Sequence, residues 1–464
     1  MPDTNNIQHG LLVGSTVSAN ETPAKLGDSA PIRILGIVCL LAATGFYFFY
    51  LYQHAFNVPL ADDIYDVLQP LIQAINADNA RAALASLYEQ HTDHRTIATR
   101  FIYGAMYLTT GEVNFRTLNF LANLALPLLL LALYLMASDT PRKLLIMLPA
   151  ALILLQLRTY GITFWAMASF AYFYVFVYGF FCVLLLQNPD RIRFCAAILL
   201  AMLANLTLAS GQMIWLIGLA SLIQQSLLRR SASRTYLLGW IFLTIAVPLL
   251  WRVGLDDRIP LVTLLGNFFA APGHYVLYTL TLLGCAISES SVAAAATTGG
   301  LMLIILCACT VSRWREADLR LELCCWFIVL SVMTMVLGRG FASVDYGLSS
   351  RYSFPSVLLL STTWVLIASR LKLHRWLGLA PAIALSLAYS VYSFSTYSVS
   401  LQPYMEQRVE DFNRGRYRAW PYPVTRSNRI VAEAIELGLY APPPRPLAMA
   451  SVTFGGKPQE SAAE

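Results

Sequence analysis

Long apolar stretches recur along most of the chain, and they constrain its fold more than any other feature. Of the 464 residues, 57% are hydrophobic and 12% are charged, whereas a soluble domain carries about 25% charged residues. Many stretches exceed the roughly 18 apolar residues that fill the core of a bilayer. The sequence therefore predicts an all-α, polytopic membrane protein.

Window hydropathy predicts about 11 transmembrane helices. They lie near 33–52, 117–137, 143–158, 165–186, 194–209, 213–228, 235–251, 290–311, 321–338, 355–370 and 376–395. Residues 1–30 are polar and are expected to form a disordered cytoplasmic tail. Residues 31–400 form the predicted transmembrane domain, and residues 401–464 form a C-terminal tail on the outer face, as a small cap or a partly ordered extension.

Basic residues decide the predicted orientation, because positive charge collects in cytoplasmic loops. Five basic clusters fall on the inner face, around residues 142–143, 191–193, 229–234, 313–320 and 370–375. A full span at 273–287 would move the last two outside, so that stretch is predicted to be re-entrant or interfacial. The net charge of +6 follows from this topology and does not indicate nucleic-acid binding.

The first outer loop, residues 53–116, is expected to be structured. Residues 64–75 and 79–90 show helical apolar spacing, with Asp78 and Asn79 as candidate caps. Both segments predict amphipathic helices on the membrane surface. The loop and the C-terminal tail are the two richest polar regions, and both are predicted to lie on the outer side.

An acidic pair, Asp62-Asp63, follows the first span directly. Two carboxylates at a membrane interface can hold a divalent metal such as Mg²⁺ or Mn²⁺, or take a proton from a hydroxyl group. The alternative is a solvated turn that caps the next helix. A second pair, Asp256-Asp257, on the same predicted side shows that such a pair alone is a weak signal.

A second cluster, Asp93-His94-Arg95 with Arg100, lies later in the same loop. An arginine can grip a phosphate with two hydrogen bonds, and a histidine can donate to it or shuttle a proton. The alternative is a solvated helix start. Because the cluster shares a side with the acidic pair, we favour phosphate binding.

A third cluster combines Gly338-Arg339-Gly340 with Ser350-Arg351-Tyr352. The positive-inside rule gives no reason for arginines on the outer face, but an anionic ligand gives one. Anchoring to lipid headgroups is the alternative. Weaker candidates for lining a cavity, or for ordinary helix ends, are His274, Arg158 and Ser210-Gly211-Gln212. Trp165 and Tyr172 are typical of an interfacial aromatic belt, or could line an acceptor groove.

These motifs together resemble the GT-C glycosyltransferases. The acidic pair after the first span, the long outer loop, and the Asp-His-Arg and Ser-Arg-Tyr segments resemble bacterial members that carry a Glu-His-Arg segment and a late Ser-Arg-Tyr segment. Asp93 stands where that group has Glu, and Ser210-Gly211 stands where it has Asn-Gly. The resemblance covers roughly residues 30 to 400.

The resemblance implies a GT-C-like fold and an enzyme of the bacterial inner membrane that faces the periplasm. Its donor would be a polyprenyl-phosphate-linked sugar, and its acceptor a periplasmic glycan, lipid or protein. Asp63 or Asp62 would act as base, and the donor phosphate would bind near Arg95, His94, Arg100, Arg339 or Arg351, with Asp93, Tyr352 and His274 lining the pocket.

Two other classes of function stay open. A lipid-sugar flippase or secondary transporter should carry ionisable residues in the middle of its spans, whereas here they collect at the predicted outer edge. A structural or assembly subunit would tolerate loss of Asp63. The sequence favours the enzyme.

Overall fold

A computed structural model describes residues 30–90, 95–138, 142–229, 234–254, 260–315, 318–340, 342–371, 376–419 and 421–447. Within these ranges all regular secondary structure is helical, apart from one isolated bridge between Ala419 and Tyr422. The predicted all-α class is confirmed.

The described ranges contain 19 α-helices. They are α1 (Ala30–His54), α2 (Gln69–Ile75), α3 (Ala80–Tyr88), α4 (Ile97–Thr110), α5 (Phe115–Asn123), α6 (Ala125–Met136), α7 (Lys143–Leu154), α8 (Tyr160–Thr163), α9 (Ala166–Leu186), α10 (Arg191–Thr207), α11 (Met213–Gln224), α12 (Arg234–Arg252), α13 (Leu261–Ala270), α14 (Pro272–Gly284), α15 (Val292–Arg313), α16 (Arg320–Arg339), α17 (Phe354–Arg370), α18 (Trp376–Asn413) and α19 (Val424–Glu436). Shorter elements are the π-helices Asp63–Leu68 and Gln225–Arg229 and the 3-10 helices Leu157–Thr159, Ala209–Gln212, Val344–Leu348 and Ser350–Tyr352.

Eight described segments are long and apolar enough to cross a membrane. They are Ala30–His54, Phe115–Met136, Lys143–Thr163, Ala166–Leu186, Arg234–Arg252, Val292–Arg313, Arg320–Arg339 and Gly378–Asn413. Three further predicted spans correspond to shorter helices, α10, α11 and α17. The protein is therefore a multi-pass helical membrane protein, while the total of 11 spans stays a prediction.

Helix α14 covers most of the stretch that was predicted to be re-entrant or interfacial. Its 13 residues are about 20 Å long at 1.5 Å per residue, which is less than the roughly 30 Å of a bilayer core. It packs backbone to backbone against α15, and Gly284 permits this approach. A Cβ on Gly284 would lie 1.9 Å from the Ala295 carbonyl oxygen. Helix α14 is thus shorter than a full span, and its re-entrant or interfacial placement stays a prediction.

Helix α9 is the centre of the bundle. It packs against α5, α6, α10, α11 and α16, and most of its residues are buried. Its 21 residues are apolar on every side, as expected for a helix surrounded by other helices. The start of α9 therefore holds a fixed position at one end of the bundle, next to Trp165.

The first loop folds as a layer of short helices over the end of the bundle where α9 begins. The Asp63–Leu68 π-helix continues into α2, and α3 follows. The Asn79 side chain accepts a hydrogen bond from the Ala82 N–H at 3.0 Å, so the predicted cap at Asn79 is confirmed. The amphipathic helices expected at 64–75 and 79–90 are present as helical segments.

The C-terminal segment packs on this layer. Helix α18 runs without a break through residue 400, so the predicted domain boundary at 400 falls inside a helix. Beyond it, α19 packs against the Asp63–Leu68 π-helix and α2. Val113 donates its N–H to the Leu439 carbonyl at 2.7 Å, and the Tyr440 hydroxyl donates to the Asn57 carbonyl at 2.8 Å. The described part of the tail is thus a folded cap.

Candidate functional site

The acidic pair opens the π-helix and follows a strained residue. Ala61 has a φ of +48°, in the left-handed region that residues with a side chain rarely adopt. Strained backbone and π-turns are both enriched at functional sites. These two features mark Asp62 and Asp63 independently of their charge.

Asp63 is buried, with 1% of its surface exposed. Its Oδ2 accepts from the Leu60 N–H and its Oδ1 from the Met167 N–H, both at 2.9 Å. Burial raises the pKa of Asp63 to about 7, although the two N–H donors and Arg408 act in the opposite direction. A carboxyl group with this pKa is suited to general-base catalysis at neutral pH. Asp62 is only half-buried.

Arg408, on α18, supports the carboxylate. Its guanidinium donates to the Val58 carbonyl and to the Phe164 carbonyl, each at 3.0 Å. These carbonyls belong to the two chain segments that also supply the N–H donors of Asp63. One buried arginine therefore fixes both segments and adds positive charge beside the carboxylate.

Sequence reasoning missed Arg408, because it treated the region beyond residue 400 as a polar tail. A signal was present: Leu401, Met405 and Phe412 recur at helical spacing, and Arg408 lies in the same stripe. All four are buried. An arginine inside an apolar helical stripe indicates a buried charge with a specific partner.

The two arginines of the third cluster meet at the same end of the bundle. Arg339 ends α16 and donates to the Tyr352 hydroxyl. The Arg351 guanidinium carbon lies 5.2 Å from the centre of the Trp165 ring and 5.4 Å from that of Tyr352. Tyr346 packs on Tyr352 with ring centres 5.3 Å apart. We call these five residues the Arg351 cluster.

The Arg351 cluster carries positive charge that no carboxylate balances in the described part of the chain. Within the described residues, neither Arg339 nor Arg351 forms an ion pair with an acidic side chain. The buried Nε of Arg351 and the buried Nε1 of Trp165 have no acceptor in the same part of the chain. Two cations and two unused N–H donors suit an anion such as a phosphate.

Asp63 and Arg351 both contact the segment Trp165–Met167 at the start of α9. Asp63 accepts a hydrogen bond from the Met167 N–H. The guanidinium of Arg351 packs over the ring of Trp165, which is two residues before Met167. Tyr404 lies within electrostatic range of both Asp63 and Arg351. The structure therefore brings together residues from four distant regions of the chain around the start of α9.

Glycines allow the Ser-Arg-Tyr segment to pack this closely. A Cβ on Gly161 would lie 2.5 Å from Ser350 Oγ and 3.2 Å from Arg351 N, so a larger residue there would displace the segment. His274 lies near the edge of the site, 6.1 Å from the Tyr278 ring. Tyr278 in turn packs on Gly347, where a Cβ would lie 2.8 Å from its ring.

Arg100 and Arg95 have other partners. Arg100 is 2% exposed and donates to Asp66 at 2.7 Å, so its charge is balanced inside the first loop. Arg95 donates to the carbonyls of Trp251 and Val253 at 2.8 Å and therefore holds the end of α12. This geometry gives both a structural role and does not favour the predicted phosphate binding.

The other predicted residues have separate outcomes. His94 and Asp93 lie outside the described residues, as does Asp256-Asp257. Arg158 is fully buried and donates to the carbonyls of Cys285 and Leu348, which is a packing role. Gly211 lies against the Ala204 carbonyl.

The residues that the structure describes do not fit a metal site. They contain no group of three or more His, Cys, Asp or Glu side chains that could hold an ion. Asp63 has the positive charge of Arg408 beside it, which disfavours a cation there. The prediction that Asp62 and Asp63 bind Mg²⁺ or Mn²⁺ therefore finds no support in this donor set.

No family model matches the sequence, and no curated protein or solved structure matches it either. Conclusions about function therefore rest on the geometry of the site.

Proposed function

We propose that the protein is a glycosyltransferase that moves a sugar from a polyprenyl-phosphate donor to a cell-surface acceptor. One observation carries the proposal. Asp63, a buried carboxyl group with a pKa of about 7, accepts from the Met167 N–H, and Arg351 packs over the ring of Trp165, two residues earlier. Arg351 and Arg339 both contact Tyr352, and neither pairs with a carboxylate in the described residues. A base beside an anion-binding cluster is the arrangement that such a transfer needs.

The reaction can be written with the residues present. The Asp63 carboxylate takes the proton of an acceptor hydroxyl group, and the hydroxyl oxygen forms a bond to the anomeric carbon of the donor sugar. The bond from that carbon to the phosphate oxygen breaks, and the lipid phosphate leaves with the electron pair. The configuration at the anomeric carbon is inverted.

The arginines act on the leaving group. Negative charge grows on the phosphate as the bond breaks, and Arg339 and Arg351 stabilise it without reorganisation because aromatic rings hold them in place. Asp62, which is half-exposed, is the second candidate base. On this proposal the site faces the periplasm of a bacterial inner membrane, in agreement with the charge distribution of the loops.

The test uses a strain that lacks the protein. Asp63→Asn, Arg339→Gln and Arg351→Gln are expressed in it, and envelope glycans, lipids and surface proteins are analysed by mass spectrometry. Arg116→Gln is the matched control, because Arg116 also covers a tyrosine ring, at 4.2 Å, but lies outside the site. We expect the sugar modification to disappear in the three site variants alone.

Two results would count against the proposal. If all three variants keep the modification at normal expression, the protein is not the transferase. A flippase would bind the same donor phosphate but needs no base. Loss in the arginine variants together with full activity of Asp63→Asn and Asp62→Asn would favour a flippase.

A further inference from the structure

A cleft separates the helix of the acidic pair from the C-terminal cap. Its volume is about 400 Å³, and it is lined by Gln69, Ile72, Gln73, Asn76, Arg426, Arg429, Ile430 and Glu433. The first four residues belong to α2 and its end, and the last four to α19. Pockets that bind small ligands have volumes of about 300–1,000 Å³.

The walls of the cleft are held together at one end. The rings of Tyr65 and Tyr422 stack with centres 3.8 Å apart, and the Tyr65 hydroxyl lies 3.2 Å from Ser427 Oγ. The Arg426 guanidinium carbon lies 5.3 Å and 5.0 Å from the two ring centres. This contact joins the π-helix of Asp63 to α19, so the cleft is a defined space.

The chemistry of the lining suits hydroxyl groups. Three amides, two guanidiniums and one carboxylate surround a floor of two buried isoleucines, Ile72 and Ile430. Amides offer adjacent donors and acceptors, arginines offer donors, and a carboxylate accepts. The buried Oε1 of Gln73 has no donor in the described part of the chain, and a ligand hydroxyl would supply one.

The cleft begins on the same helical segment as the proposed base, Asp63. Gln69 follows Asp63 by six residues on one continuous helical segment, which is a rise of roughly 9 Å at 1.5 Å per residue. We infer that this cleft binds the saccharide chain of the acceptor and directs its reactive hydroxyl toward Asp63. The inference rests on the proposed function, and it narrows the acceptor to one with a carbohydrate portion.

Photo-crosslinking tests the cleft without relying on catalysis. p-Benzoylphenylalanine is placed at Asn76, which lines the cleft, or at Glu436, which is exposed on α19 outside it. After irradiation of living cells, we expect a carbohydrate-containing adduct from position 76 and none from position 436. An adduct with protein or lipid lacking sugar, or no adduct at position 76, overturns the inference.

A kinetic test separates this inference from the proposed function. Purified Arg429→Gln protein and the control Arg414→Gln, an exposed arginine paired with Glu410, are supplied with polyprenyl-phosphate donor and with glycan released from the deletion strain. We expect the KM for the glycan to rise about ten-fold or more in Arg429→Gln, the effect of losing one charged hydrogen bond. Slow donor hydrolysis by water should be unchanged.

The outcomes are distinct. If Arg429→Gln leaves the KM unchanged, or lowers transfer and donor hydrolysis equally, the cleft does not bind the acceptor, although the protein is still a transferase. If the wild-type protein consumes no donor, the proposed function fails. In that case a carbohydrate adduct at position 76 would still show that the cleft binds a saccharide.

Discussion

The arginines near the two ends of helix α16 are in opposite circumstances. At its start, Glu322 is fully buried and pairs with Arg370 at 2.8 Å and with Arg313 at 3.8 Å. At its end, about 30 Å away at 1.5 Å per residue, Arg339 and its neighbour Arg351 have aromatic rings as partners and no carboxylate in the described residues.

The comparison separates charges that are paired inside the chain from charges without a described partner. A buried charge is costly unless it is paired, and the Glu322 group meets that condition within the chain, as Asp66 and Arg100 do. No described carboxylate pairs with the Arg351 cluster, so its charge suits an anionic ligand. Sequence alone cannot make this distinction, because the paired arginines and the arginines of the Arg351 cluster all lie near the ends of apolar segments.

The largest expected effect concerns the carboxylate beside the Arg351 cluster. Asp63→Asn should lower sugar transfer by about 10²–10⁴-fold, the usual contribution of a general base. It should lower the free energy of unfolding by only about 1–3 kcal/mol, because one backbone N–H loses its acceptor. Transfer rates and thermal unfolding in detergent measure the two effects. Full transfer by the variant would show that Asp63 is a purely structural residue.

At the start of α16, Glu322→Gln should reduce the stability of the protein without reducing the rate of sugar transfer. Removing one partner of a buried ion pair lowers the free energy of unfolding by about 3–5 kcal/mol, since Arg370 and Arg313 lose their counter-charge. The free energy of unfolding and the rate of sugar transfer per folded molecule are measured on the same preparation. If transfer falls while the Tm does not change, the contrast between the two ends is invalid.

Arg351→Gln should give the reverse pattern. Loss of one electrostatic donor lowers transfer by about 10²–10³-fold, while stability stays within about 0.5 kcal/mol because no ion pair is broken. The Tm and the transfer rate are compared with those of Arg116→Gln. A large loss of stability would mean that the cluster serves packing.

The smallest effect is on pH dependence. Because the base must be deprotonated, wild-type transfer should fall as the pH decreases through about 7, the pKa of Asp63. Arg408 lowers that pKa, so Arg408→Gln should move the fall to higher pH, with a loss of less than about ten-fold at pH 7. Arg408→Lys keeps the charge and serves as the control. Identical pH profiles of transfer for Arg408→Gln and the wild-type protein would exclude this role for Arg408.

Parts of the fold could be predicted because they depend on local sequence. Helix α9 begins at Ala166 and ends at Leu186, within one residue of the predicted span, since a continuous apolar run defines both. Asn79 caps α3 as expected because the cap depends on neighbouring residues. The acidic pair was also recognised, although Ala61 and the π-turn were not.

The remainder depended on contacts between distant residues. Arg100 was predicted to bind phosphate, but its partner Asp66 lies 34 residues earlier. The apolar stripe around Arg408 is visible in the sequence, but its partners are carbonyls 244 and 350 residues away, and these contacts could not be predicted. The cleft lined by α2 and α19 required the C-terminal cap to fold onto the first loop, which hydropathy does not predict.

The sequence by itself determined that this is a helical, multi-pass membrane protein with its charges at the ends of apolar segments. The cause is local, because lipid selects apolar runs of a certain length and each helix satisfies its own backbone. Only the tertiary structure decided which charges neutralise one another and which have no acidic partner among the described residues. Pairing acts over a few ångströms in space, and residues that close together are often separated by hundreds of positions in the chain.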